Sequence, residues 1–163
     1  MAEHNLQPSS DCLHGVLSAE FPPAVTLDPG DTLTGAVPDA WWQHAADAAC
    51  GPGAQPTEAG PCLAGPVAVR GADVGTTLAV SVVQLQPAAT AWTVAGGWDS
   101  SLNRELGVAD AAPARLSWQV DRGGATLRAP GGREVALRPF LGTMGVAPAG
   151  TGRFQASTPR TCG

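Results

Sequence analysis

Few side chains in this sequence can do acid-base or metal chemistry. The chain has three histidines, and His14 stands just ahead of the first predicted strand, residues 23–27. An imidazole there could ligate a metal ion or move a proton near neutral pH, or it could be an ordinary packed or surface histidine. His44 falls in an Ala-rich helix candidate and is more simply solvent-facing, and His4 lies in a terminal segment where few partners are expected.

Two aspartates are the other candidates. Asp99 follows the segment Gly96-Gly97-Trp98, where glycines permit close backbone approach and a neighbouring Trp can desolvate a carboxylate. Its alternative role is structural, because Asp99 or Ser100 could cap the short helix predicted over residues 100–106. Asp73 lies in the predicted turn 71–75 and could serve either the turn or a site.

The four cysteines are widely spaced and contain no Cys-x-x-Cys pair, so neither a zinc knuckle nor a redox motif is present. Reduced thiols are expected, although Cys50 and Cys62 flank a Gly/Pro loop and could come close. Cys162 is a poor candidate nucleophile because the sequence places no base or oxyanion donor near it.

Composition excludes several classes of partner. The chain has 163 residues, 44% hydrophobic and 14% charged, with a net charge of -5; this balance argues against binding to nucleic acid. No apolar run is long enough to span a membrane, and the first ten residues lack the basic and apolar regions of a signal peptide. We therefore expect a cytoplasmic protein without membrane contact.

The 21 Gly and 15 Pro residues divide the chain into segments too short for ordinary helices. These segments predict a mainly β fold, a twisted β-sandwich or barrel-like single domain over residues 1–163 with one or two short helices. The helix candidates are residues 39–49 and 100–106. The predicted hairpin-like strand pairs join residues 23–27 to 31–37, 66–70 to 77–85, 115–121 to 125–129, and 125–129 to 134–138.

Blocks of sequence along nearly the whole chain resemble the acetamidase/formamidase family. The opening LHG of residues 13–15 and FPPAVTLDPGDTL of residues 21–33 are similar to that family's first segment. GPVAVRGADVG of residues 65–75 resembles a second block, and PFLGTMGVAP of residues 139–148 is the closest match. TPRTCG of residues 158–163 resembles the lead-in to the family's Gly-Gly-Asn-x-Asp motif.

The resemblance implies a mainly β enzyme that hydrolyses short aliphatic amides, such as formamide or acetamide, to the acid and ammonia. The catalytic candidates are His14, which lies in a resembling block, Asp73, which replaces a Glu of the family's second block, and Asp99, chosen from its Gly and Trp neighbours. His14 is also the candidate metal ligand, and zinc is the ion that would suit water activation. The chain departs from the family at PCLAGP, residues 61–66, where a His is missing, and after His14, where the family's Trp is absent and Gly15 follows directly.

Family members are roughly twice as long, and most of their polar site chemistry is expected in the other half. We therefore expect a second polypeptide, equivalent to that half, to complete the active site in an oligomeric particle that takes a small amide substrate. The alternative is a non-catalytic β-sandwich binding module or accessory subunit.

Overall fold

The computed structural model describes residues 1–40, 42, 60–121, 123 and 125–155. Its described elements are short strands and one short helix, so the chain is mainly β as predicted, and its sheets are open. The strands are β1 Glu3–Leu6, β2 Leu13–His14, β3 Val25–Leu27, β4 Thr32–Gly35, β5 Leu63–Ala64, β6 Val67–Val69, β7 Thr90–Ala95, β8 Ala114–Asp121, β9 Thr126–Ala129 and β10 Arg133–Ala136, and the helix is α1 Ser101–Glu105.

The chain forms two compact units. Unit 1 contains Met1–Val82 and Leu141–Gly163, and unit 2 contains Val83–Phe140. Assignment of the chain to a single domain stays a prediction.

The described residues of unit 1 form three strand pairs. β1 pairs with β4 and β3 with β6 in parallel, whereas β2 pairs with β5 antiparallel. The apolar residues buried in this unit are Leu6, Cys12, Val16, Leu27 and Cys62. This is a small core. Two-stranded pairs are also marginally stable on their own.

The predicted hairpin between residues 23–27 and 31–37 is wrong. A turn does form, with the amide of Asp31 donating to the carbonyl of Asp28 at 3.0 Å, but the strands on either side pair elsewhere. β3 aligns with β6, and β4 aligns with β1 at the start of the chain. The hairpin fails because each arm finds a parallel partner distant in sequence.

The predicted hairpin between residues 66–70 and 77–85 forms only in its first half. β6 and the following turn are present, with Ala72 N donating to Val69 O at 3.1 Å and Thr76 N to Asp73 O at 3.0 Å. Residues 77–85 have no strand partner among the described residues.

Unit 2 confirms the remaining hairpin predictions. β7, β8, β9 and β10 form one antiparallel sheet in the order β10-β9-β8-β7. Trp92 of β7 lies opposite Ser117 of β8. Arg128 of β9 lies between its partners on the two neighbouring strands, Gln119 of β8 and Glu134 of β10. Arg128 Nε donates to Glu134 Oε1 at 2.7 Å, which links β9 to β10 across the surface.

Helix α1 confirms the prediction for residues 100–106. Ser100 is the N-cap, and its hydroxyl accepts a hydrogen bond from Asn103 N at 3.1 Å. Gly107 ends the helix at a φ of 68°, a left-handed conformation that favours glycine. The other helix candidate, residues 39–49, lies mostly outside the described residues, as do His44, Cys50 and Cys162.

No helix in the described part of the chain has the length and apolar character needed to cross a lipid bilayer. The cytoplasmic location stays a prediction.

Candidate functional site

His14 lies at the end of β2, where the sequence predicts the chemistry to be. The pairing of β2 with β5 places His14 opposite Leu63 and Leu13 opposite Ala64. A further backbone bond from Gly65 N to Cys12 O, 2.9 Å long, extends the pair by one residue. The backbone of His14 is therefore held on a short but defined ladder.

The imidazole of His14 stacks on the ring of Phe21. Their centroids are 3.9 Å apart and their planes differ by 11°. The guanidinium of Arg153 lies 5.5 Å from the centroid of the same Phe21 ring, within the range of a cation-π contact. Stacking fixes the plane of the imidazole and hence the directions of its two nitrogens, of which Nε2 is buried.

The segment after His14 is held by close backbone contacts. Leu17 and Phe154 exchange two backbone hydrogen bonds, 2.8 and 2.9 Å long. A Cβ at Gly60 would lie 2.1 Å from the carbonyl oxygen of Gly15, so only glycine fits this approach. The carbonyl of Gly60 also accepts a 3.0 Å bond from Trp42 Nε1.

Two free thiols stand immediately before the paired strands β2 and β5. Cys12 is 3% exposed and Cys62 is 7% exposed. The thiol of Cys12 donates to the carbonyl of Gln7 at 3.2 Å and accepts from Ser9 N at 3.2 Å. Burial, together with the smaller effects of the nearby Asp39 and Cys12, raises the pKa of the Cys62 thiol to about 11. Cys62 is therefore protonated at neutral pH and is not a nucleophile.

A cavity of about 310 Å³ lies beside this region, between the end of β1 and the residues before β2 and β3. Its lining includes polar side chains of Asn5, Gln7 and Asp11, together with Cys12 and Pro23. The cavity has room for a short amide and belongs entirely to unit 1.

Asp73 lies in an exposed turn after β6. Its backbone carbonyl accepts bonds from Thr76 N at 3.0 Å and Thr76 Oγ1 at 2.8 Å. Its carboxylate has no hydrogen-bond or ion-pair partner among the residues that the structure describes, so Asp73 and His14 are not brought into contact. These contacts fit the turn role of Asp73, and a site role stays a prediction.

Asp99 lies in unit 2, just ahead of α1. Its side chain is 75% exposed and forms an ion pair with Arg104. The desolvation predicted for Asp99 beside Trp98 is therefore not found, and Ser100 provides the helix cap. A catalytic role for Asp99 stays a prediction that this exposed ion pair does not support.

His4 has more partners than its terminal position predicts. It lies in β1, and its Nε2 is 3.0 Å from Oδ2 of Asp31. The correction has a simple cause: the parallel pairing of β1 with β4 holds the terminus against the turn that carries Asp31. This pair links β1 to the turn before β4. It shares no residue with the His14 cluster, by which we mean His14, Phe21 and Arg153.

Among the described residues, no group of three or more His, Cys, Asp and Glu side chains is arranged to hold a metal ion. His14 could contribute one ligand at most, so the donors in this part of the chain do not by themselves fit zinc, whose protein sites use three or four.

The fold so described matches the fold of solved acetamidase/formamidase structures. A crystal structure of a recombinant predicted acetamidase/formamidase from the thermophile Thermoanaerobacter tengcongensis aligns with 99% of this chain and 51% of its own, with a TM-score of 0.69 and 18% identity. The crystal structure of an acetamidase from Bacillus halodurans aligns with 96% of this chain and 50% of its own, with a TM-score of 0.67 and 19% identity.

The chain thus spans about half the length of the solved structures it matches. No family model matches the sequence, and no curated protein sequence matches it significantly. The comparisons therefore show a shared fold over half of a longer chain.

Sequence reasoning missed two members of the His14 cluster. Phe21 stands in the first resembling block, FPPAVTLDPGDTL, but nothing in its spacing indicates the stack on His14. Arg153 follows a Gly-rich stretch, and its approach to Phe21 depends on pairing between segments more than 130 residues apart, at Leu17 and Phe154. The only sequence signal for Arg153 is that it stands alone after a long uncharged stretch.

Proposed function

We propose that this chain is part of an amidohydrolase that cleaves the carbon-nitrogen bond of short linear amides such as formamide or acetamide. The observation that carries the proposal is the shared fold, which extends over 99% of the chain and joins it to structures described as an acetamidase and a predicted acetamidase/formamidase. Three of the sequence blocks that resemble this family, residues 13–15, 21–33 and 65–75, also lie in the described part of unit 1, and the first contains His14.

In this proposal His14 handles the proton. Amide hydrolysis needs a base for the attacking water and an acid for the departing amine, and an imidazole can do both. The stack on Phe21 supports this role, because it holds the ring in one plane, and the buried Nε2 provides a nitrogen shielded from bulk water. Arg153, whose guanidinium lies 5.5 Å from the Phe21 ring centroid, is the candidate for stabilising a developing oxyanion.

The site needs groups from outside this chain. The solved structures have about half their length without a counterpart here, and the described donors provide no metal site. A second polypeptide equivalent to that half would supply the remaining carboxylates and, if zinc takes part, its other ligands. No step is assigned to zinc, because His14 alone does not make a site.

The alternative is a binding module or accessory subunit that keeps the fold without the reaction. One observation favours it: the family's His in the block at residues 61–66 is missing here, where the block begins with Pro61 and continues with Cys62. That thiol is buried, and its pKa is raised to about 11. It cannot take over the acid-base role of an imidazole at neutral pH.

Ammonia release distinguishes the two functions. The isolated chain should release no ammonia from formamide or acetamide, whereas the native particle containing this chain should do so. Turnover by the isolated, homogeneous chain would show that no second polypeptide is needed. A native particle of defined composition that releases no ammonia from any short amide would leave the binding module as the function.

A further inference from the structure

Unit 1 contains a segment, residues 77–82, that belongs to no strand pair within the described part of the chain. It follows the turn at Asp73 and Thr76 and runs without a further turn or bend. Its residues make no backbone hydrogen bond within the described part of the chain. As far as the described residues go, the N–H and C=O groups on both edges of this segment have no backbone partner, although they are strong hydrogen-bonding groups. We call residues 77–82 the open strand.

The open strand has the apolar residue types that are typical of a buried strand. Leu78, Val80 and Val82 alternate along it, as the residues on one face of a strand do, yet they are 48%, 58% and 52% exposed. Leaving three such side chains in water is unfavourable, because the removal of apolar surface from water favours the folded state. The pattern indicates a face that another surface covers.

The open strand also lacks the features that protect strand edges. Natural edge strands carry charges, prolines or bulges that prevent pairing with other chains. No charged residue stands between Asp73 and Asp99, and the first proline after the turn is Pro87. An unprotected edge of this kind is typical of a strand that is paired in the functional particle.

A second segment of unit 1 behaves in the same way. Residues 141–148 make no backbone hydrogen bond among the described residues, and Met144 and Val146 are 55% and 72% exposed. No charged residue stands between Arg138 and Arg153. The small core of unit 1 is thus accompanied by two uncharged, unpaired segments.

Resting on the proposed function, we propose that the open strand is the docking site of the second polypeptide, which adds a β-strand to it through main-chain hydrogen bonds and covers Leu78, Val80 and Val82. The length of the solved structures supports this choice of occupant, because about half of each has no counterpart here. Three two-stranded pairs are marginal by themselves, so unit 1 needs further strands. A second copy of this chain is a poorer occupant, because it would itself need further strands.

Hydrogen exchange on the native particle tests the docking mode. The chain is tagged in its source cells, the particle is purified, and its composition is determined by native mass spectrometry and peptide sequencing. Amide exchange over residues 77–82 is then compared with that of the isolated chain. We expect at least tenfold slower exchange in the particle, at alternate residues if one edge is paired and at successive residues if both are.

Two matched substitutions test the contact itself. Val80→Arg places a charge on the covered face and should release the second polypeptide. Val135→Arg alters a valine of similar exposure, 50% against 58%, on β10 of unit 2, and should leave the particle intact. Circular dichroism of each isolated variant shows whether the chain still folds.

The outcomes separate this inference from the proposed function. A particle that contains a second, different polypeptide and protects residues 77–82, but releases no ammonia, upholds the docking site and contradicts the amidase. Ammonia release with unprotected residues 77–82 contradicts the docking site alone. A particle containing only copies of this chain overturns the inference.

Discussion

The imidazole Nε2 of His4 lies 3.0 Å from Oδ2 of Asp31, and the other carboxylate oxygen of Asp31 accepts a 2.6 Å bond from Ala2 N. Asp28 N also donates to Oδ2, at 3.1 Å. One carboxylate thus holds the first strand of the chain to the turn that begins β4. These contacts lower the pKa of Asp31 from 3.8 to about 2, and the two backbone hydrogen bonds are the largest cause.

The contribution of Asp31 to stability should be lost in acid. Because the folded-state pKa lies below the unfolded value, the contribution is complete above about pH 4 and disappears as the pH falls toward 2. Asp31→Asn should therefore lower the Tm at pH 7 and flatten its decline between pH 4 and 2. Asp28→Asn is the control, since Asp28 is 60% exposed and its partner Arg70 is 62% exposed. Equal effects of the two substitutions would contradict the assignment.

Removing the imidazole of His14 should slow the complete enzyme. His14→Ala should reduce kcat by about a hundredfold or more if the imidazole transfers a proton, which is the usual size of such a contribution. Phe21→Leu keeps an apolar side chain but removes the stacked ring, and should cause a smaller fall in kcat with an altered pH profile. The rate of ammonia release at several pH values measures both. An unchanged kcat in a folded His14→Ala particle would make His14 a packing residue.

The cap of α1 should stabilise unit 2. Ser100→Ala removes the acceptor for Asn103 N and should lower the free energy of unfolding by about 1 kcal/mol. Ser101→Ala, one residue later and exposed, removes a hydroxyl outside the cap position and should have little effect. Urea unfolding followed by tryptophan fluorescence compares them, and a larger loss at Ser101 would refute the cap.

Gly60 should tolerate no side chain. Gly60→Ala places a Cβ 2.1 Å from the carbonyl oxygen of Gly15 at a φ of 136°, so backbone must move. Gly71→Ala is the matched control: its φ of 78° is also left-handed, but no atom lies within 4 Å of the added Cβ. The control should lose about 1–2 kcal/mol of stability from the left-handed conformation alone, and Gly60→Ala clearly more. Thermal unfolding of both variants checks the difference, and equal losses would show that the two backbones are not in close contact.

The Cys62 thiol should resist alkylation. With its pKa raised to about 11, its reaction with iodoacetamide should show a midpoint near pH 11, as followed by peptide mass spectrometry. Asp39→Asn should lower that midpoint, although burial, the larger cause, remains. A midpoint near 8.5, typical of an unperturbed thiol, would mean that Cys62 is accessible to water.

Local signals in the sequence predicted the local parts of the fold. The strands around the turns at Gly123 and Gly131 and the cap at Ser100 were recognisable because a turn or cap depends on neighbouring residues. Parallel pairing has no such signal: Glu3 aligns with Thr32 and Val25 with Val67. The hairpin predicted at Asp28 therefore had the correct turn and the wrong partners.

The candidate site shows the same contrast between local features, which the sequence predicts, and long-range contacts, which it does not. Resemblance directed attention to His14, but its stack on Phe21 and the nearby Arg153 depend on tertiary packing that spacing does not reveal. Asp99 looked desolvated because Trp98 precedes it in sequence, whereas the structure leaves the carboxylate exposed. Adjacency along the chain was a poor guide to burial.

The division of the chain into units also sets an order of folding. Unit 2 is one continuous stretch, Val83–Phe140, whose antiparallel neighbours follow one another closely along the chain. Unit 1 is interrupted by it, and Leu17 can bond to Phe154 only after nearly the whole described chain has been synthesised. Contacts between distant residues form slowly because a long loop must close first. On the ribosome, the inserted sheet can thus be complete while the segment carrying His14 still awaits its last partner.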